Sequence, residues 1–182
     1  MEKIEEFIKI HFNNAIKLKI RFKKTEPKEW TSLIVANELM LQYGHLINTT
    51  YHNDYIDEKN RNITNIKDEL SDVLLQLCYL SYLENVSFED IEKYAIDKID
   101  IEYISILIGQ LIEALMEKEG YRYKKSRSGF KNIEDFIKDR IKRIFVLVFN
   151  YIEKNKIDMV YEFNLMLEDA NNFLDNYVQE NN

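Results

Sequence analysis

Glu69 and Asp72 stand three residues apart in the stretch IKDELSDVLLQLCYL, Ile66 to Leu80, and Glu38 sits in LIVANELMLQYGHLI, Leu33 to Ile47. Residues three or four apart share a helix face, so Glu69, Asp72 and Gln76 form one stripe. Leu70, Val73, Leu74 and Leu77 form the opposing one. Glu-x-x-Asp is common on the wet faces of helices, and that ordinary reading applies here as well. Two features argue for more. The continuation VLLQLCYLSYL is apolar around most of its circumference, so this helix should be largely enclosed. Acids at the mouth of an enclosed helix lose hydration unless a cation or hydrogen bonds compensate. A polar loop then joins the Glu38 segment to this one, a connection that can set Glu38 opposite Glu69 and Asp72. Three converging carboxylates are hard oxygen ligands suited to Mg²⁺ or Mn²⁺, with water and phosphate oxygens completing the octahedron.

The elements that must position these acids read as helices throughout. Ile4, Phe7, Ile8, Phe12 and Ala15 follow the 3.6-residue period, which predicts a helix over roughly residues 2 to 22. Pro27 suits the first turn of a second helix that runs to about Thr49. A polar stretch, NTTYHNDYIDEKNRN, precedes a third helix from about Asn65 to Leu83. Ser87 and Asp90 make a near capping box for a helix to about Ile99. Further helices are expected over about 101 to 118, from a cap at Asn132 to about Glu153, and over about 158 to 177. No strand alternation is present, and four glycines and one proline are too few for a turn-rich chain. The expected fold class is all-α, a helical bundle of six to seven helices in a single domain over 1–182.

Bulk properties narrow the function classes. Apolar residues make up 46% of the 182, enough for a proper core. A formal net charge of −7 argues against binding a nucleic acid polymer, though not against one nucleotide. Cys78 is the lone cysteine; it reads as core and fits a reducing, cytoplasmic compartment. The start MEKIEEFIKIHFNN lacks the pattern of a signal peptide, and no apolar run reaches the ~20 residues of a membrane span. The sequons at Asn48, Asn62 and Asn85 then read as chance matches. His45 reads as a helix-face residue; His11 and His52 carry no signal.

ANEL, a loop, and then DELSDVLLQLCYLSYLENVSFEDI together resemble the MazG-type, all-α nucleoside triphosphate pyrophosphohydrolases. Those proteins carry Glu-Glu-x-x-Glu on one helix and Glu-x-x-Asp on the next. The resemblance covers about Trp30 to Ile99, and its first motif departs from the pattern. With Glu38 on the second glutamate, the preceding position is Asn37 and the last is Leu41. The other register puts Gln42 and His45 where two glutamates belong. A faint internal echo bears on this departure. LIVANELMLQ aligns with SILIGQLIEA, setting Glu38 against Gln110, and the following acidic helix starts set Asp72 against Asp139. The echo places Glu113 at the position equivalent to Leu41. Duplicated hairpins packed as a pseudo-dimer would explain it, one over 26–99 and a degenerate repeat over 101–178.

The resemblance implies hydrolysis of a (d)NTP to (d)NMP and pyrophosphate. Glu38, Glu69 and Asp72 would be the catalytic and metal-holding acids, with Glu113 a further metal ligand. It also implies a homodimer and a phosphate role for Lys98. Arg122, Lys124, Lys125 and Arg127, in YRYKKSRSGFK, would suit a triphosphate tail, or form a solvated charged loop. Tyr121, Tyr123 and Phe130 offer rings for a base. Trp30 reads first as a packing anchor and second as a ring that touches a base. The alternative function is a non-catalytic nucleotide-binding or protein-interaction module on the same bundle. A third reading is an unrelated bundle whose acids are merely surface.

Overall fold

Six α-helices account for most of the chain in the computed structural model, which describes residues 2–25, 29–51, 66–95, 101–123 and 125–180. They are α1 (Glu2–Thr25), α2 (Ser32–Tyr51), α3 (Ile66–Leu83), α4 (Ile101–Lys118), α5 (Ile133–Lys154) and α6 (Met159–Glu180). Among the described residues there is no strand, so the all-α expectation holds.

The α1 stripe is Ile4, Phe7, His11, Ala15 and Leu18, all buried at three- and four-residue spacing. α3 is the central rod. From Glu69 to Ser81 only Asp72 escapes full burial, as its apolar circumference demands. α2 packs most extensively on α3, and α4 on α5, so the bundle contains two paired helices in succession; α2 also packs on α4, and α1 on α6. A ring cluster ties α1, α5 and α6 together. Phe7 meets Phe149 at 5.3 Å and Phe163 at 4.9 Å between centroids, both edge-on. Cys78 is free and fully buried, and burial pushes its thiol pKa up.

Ends are set by local chemistry. Asn132 accepts from the Asp135 N–H at 2.7 Å and caps α5, as its sequence predicts. α4 stops where Gly120, at φ +84°, lets the Tyr121 N–H reach back to the Met116 carbonyl at 2.8 Å. Asn85, at φ 51°, ends α3 in the same manner, with Val86 N–H donating to Ser81.

Two boundaries differ from expectation. The helix expected from Ser87 to Ile99 is only one 3-10 turn, Ile91–Tyr94, within the described residues. Ser87 Oγ accepts from Glu89 two residues on, at 3.3 Å, rather than capping a helix three residues on. α2 begins at Ser32, where Thr31 Oγ1 accepts from Ile34 N–H at 3.4 Å. Pro27, Asn62, His52 and the residues around Lys98 lie outside the described residues.

His11 is the polar member of the α1 stripe. Its Nε2 lies 2.9 Å from the Val160 carbonyl, so Nε2 carries the proton of the neutral ring. Rings of Phe7 and Phe163 enclose it. Burial pulls its pKa below 6.5, against the hydrogen bond to Val160, which raises it. A depressed pKa means that the unfolded chain binds the proton first as pH falls, so acid costs stability from about pH 6.5 downward. His11→Phe should therefore flatten the pH dependence of the unfolding midpoint below pH 6.5 relative to the parent protein, read by urea titration at several pH values.

Candidate functional site

The acids of α2 and α3 meet at one cleft of about 500 Å³. α2 contributes Glu38 and Gln42 to its wall; α3 contributes Asp68, Asp72, Leu75 and Gln76. α1 adds Lys19 and Phe22, and α6 adds Leu165, Met166, Asp169 and Ala170. Trp30, just ahead of α2, completes the wall. Four carboxylates thus face one ammonium.

Asp72 is the most perturbed of them. Its pKa is pushed up to about 6, first by burial and then by Asp68, while His45 and Lys19 pull it down. Neither Asp72 nor Glu38 makes a hydrogen bond or ion pair with the described residues. Glu69 turns elsewhere: it is buried, is not part of the cleft wall, and its Oε2 lies 3.8 Å from His45 Nδ1. Burial raises its pKa as well, opposed by His45 and reinforced by Asp72 and Asp68. The three expected acids therefore do not converge: Glu38 and Asp72 share the cleft and Glu69 does not. Lys19 is only 5% exposed, with Nζ 3.5 Å from the centre of the Trp30 ring, a cation–π contact.

The basic loop goes to other work. Arg122 and Lys125 both donate to Glu113, at 2.9 and 2.6 Å, and together they hold the Glu113 carboxyl below its usual range. Arg127 donates to Glu117 at 2.8 Å and stacks on Phe136 at 4.7 Å, almost enclosed. Arg122, Lys125 and Arg127 do not line the acid cleft, and neither does Glu113. Their ion pairs instead clamp the loop onto α4, and the Arg127 stack on Phe136 ties it to α5. Phe130 packs edge-on against Phe136 at 5.0 Å, and Tyr121 and Tyr123 are exposed. Lys98 and Lys124 lie outside the described residues. In the second half Asp139, the echo of Asp72, pairs with Arg143 at 2.9 Å and Arg140 at 3.4 Å.

Comparison with family models, with curated proteins and with solved structures finds no match to this chain. The MazG-like resemblance thus rests on the quoted residues alone.

Among the described residues, no three His, Cys, Asp or Glu side chains are grouped to hold one ion. This donor set does not make an all-protein metal cage. Mg²⁺ seldom needs one, since one or two carboxylates commonly hold it together with substrate phosphates. Glu38 and Asp72 on one cleft wall fit that second arrangement, in which the ion arrives with a phosphorylated ligand.

Sequence reasoning missed Lys19, Gln42, Asp68 and Asp169. Lys19 had a legible signal, since it stands four residues after Ala15 on the buried side of α1. Asp169 had none, because it lies far along the chain on a helix whose packing partner was not readable.

Two outcomes follow. A carboxyl whose folded pKa is raised binds its proton more tightly in the folded state, so stability falls as pH rises from 3.8 through about 6 and the deficit is complete above that. Asp72→Asn should then stabilise the ligand-free protein at pH 7.5 by on the order of 2 kcal/mol and leave it unchanged at pH 4, measured by denaturant unfolding. Arg127→Ala should lower the midpoint of denaturant unfolding, because Glu117 then keeps only the Lys125 N–H and the loop loses its stack on Phe136.

Proposed function

We propose that this protein is a Mg²⁺-dependent nucleoside triphosphate pyrophosphohydrolase of MazG-like type, cleaving a (d)NTP to a (d)NMP and pyrophosphate. The observation that carries this reading is the cleft shared by Glu38 of α2 and Asp72 of α3, two acids with no protein counter-charge bonded to them among the described residues. When bound with the triphosphate, Mg²⁺ would offset phosphate charge and acidify an attacking water, with Glu38 and Asp72 holding it. Without it the acidic wall repels a triphosphate. Trp30 offers an aromatic wall to the base, and Lys19 beside it a cation to the phosphates. Glu69, buried beside His45 and off the cleft wall, is the one expected acid that takes no part in this scheme. The exposed Ile34 and Leu41 of α2 and Tyr103 and Ile106 of α4 supply apolar surface for a homodimer.

The absence of Glu69 from the cleft wall, with no three acids grouped to hold one ion among the described residues, favours a second reading, a module that binds a Mg²⁺–nucleotide without turning it over. Pyrophosphate release from a panel of NTPs and dNTPs with Mg²⁺ separates the two. The enzyme reading expects release with at least one substrate, and a loss in kcat/KM of about 100-fold or more for both Glu38→Gln and Asp72→Asn. Binding without release moves the assignment to the second reading, and neither binding nor release removes both.

A further inference from the structure

Beyond its acids, the cleft wall holds one polar group that the helices leave incomplete. The Gln76 side chain is 5% exposed, lines the cleft, and its Oε1 has no hydrogen-bond partner among the described residues. Its neighbours on α3 show how the helix treats other polar side chains. Ser71 donates to the Lys67 carbonyl at 2.9 Å and Ser81 to the Leu77 carbonyl at 2.7 Å, each one turn back. Gln76, on the turn between them, has no such outlet for its carbonyl. A buried acceptor without a donor destabilises the fold, and an apolar side chain of similar size would avoid the cost. What surrounds Gln76 narrows the moiety that could supply a donor. Leu75, Met166 and Trp30 give the same cleft apolar walls, while Asp72 and Asp68 lie one and two turns back along α3. A phosphate does not suit an apolar wall, and it carries no donor for an amide oxygen at neutral pH. A heteroaromatic ring bearing an N–H beside an acceptor suits both, because an amide presents a donor and an acceptor side by side.

We infer that Gln76 is the specificity-determining residue of the cleft, its amide pairing with the N–H-bearing edge of the ligand's base. The inference rests on the reading of the cleft as a nucleotide site and adds which atom of the protein reads the ring. Discrimination follows from the same asymmetry: a buried site built to pair with an N–H rejects a ligand that lacks one.

The test titrates the full chain with Mg²⁺ complexes of α,β-non-hydrolysable analogues of the four dNTPs, and with Mg²⁺–tripolyphosphate as a ligand without a base. Gln76→Met and Gln76→Leu are compared with the parent, and thermal unfolding confirms that each variant folds at or above the parent's midpoint. The parent should prefer at least one nucleotide over tripolyphosphate. In both variants that nucleotide's affinity should fall about tenfold or more while tripolyphosphate affinity stays within about twofold. Variants that keep the parent's preference for that nucleotide over tripolyphosphate overturn the inference and leave the proposed function standing. So does a parent that binds nucleotides and tripolyphosphate alike. A parent that binds neither removes both together.

Discussion

The enclosure of α3 is the constraint on which the rest of the structure depends. The run VLLQLCYLSYL, apolar except at Gln76 and Ser81, cannot be built around one helix without packing on most sides, and α1, α2, α5 and α6 all pack against it. Whatever polar groups that helix carries near its start are then drawn toward low dielectric with it. Asp72 is the one residue between Glu69 and Ser81 that keeps contact with solvent, and it does so through the cleft. Its raised pKa follows from this position: the carboxylate has lost hydration and faces Asp68. The cleft exists because α2 and α6 close on α3 without filling the space around its acidic turn.

Acids outside the cleft and acids on its wall are handled in opposite ways. Outside it, buried Glu117 has Arg127, buried Asp139 has Arg143 and Arg140, and half-buried Glu113 has Arg122 with Lys125. Glu84, at the end of α3, is likewise met by Lys118 of α4 at 2.7 Å. Such pairs roughly balance desolvation against Coulomb attraction, and they hold a loop or a helix end in register. The cleft has four acids and one lysine, and that lysine is engaged with the Trp30 ring. A charge imbalance of this kind is a standing cost to the fold. It is tolerable where a bound cation or cation-bearing ligand offsets it.

Much of this was legible in the sequence and some was not, for physical reasons. Amphipathic periodicity is a local property, so α1, α3, α5 and the all-α class followed directly from the spacing of Ile4, Phe7, Leu70, Leu74 and their like. The Asn132 cap was equally local. The place of Glu38 and Asp72 on one cleft was legible because α2 and α3 follow one another in sequence. The failure at Ser87 to Ile99 has a local cause too, since Ser87 bonds at the wrong spacing to start a helix. The destiny of the basic loop was not local. A run of cations looks the same whether it meets phosphate or protein carboxylates, and only the fold brings Glu113 and Glu117 beneath it. Lys19 and Asp169 belong to helices at opposite ends of the chain, and nothing in either segment announces the other.

Where the fold leaves polar groups incomplete is itself informative. Outside the cleft, the buried atoms that lack partners belong mostly to groups already half satisfied. Arg127 and Arg140 each have another nitrogen in an ion pair, and His11 uses its second ring nitrogen on Val160. Gln110 on α4 is the exception. Around the cleft, by contrast, Glu38, Asp72 and the Gln76 carbonyl all lack a bonded partner among the described residues, and they come from two helices that pack tightly on each other. Selection for stability alone would replace such groups, since apolar substitutes of similar size pack as well and cost less. Their concentration on one wall, beside an aromatic ring and a buried ammonium, is the pattern of a site that is completed by what binds it.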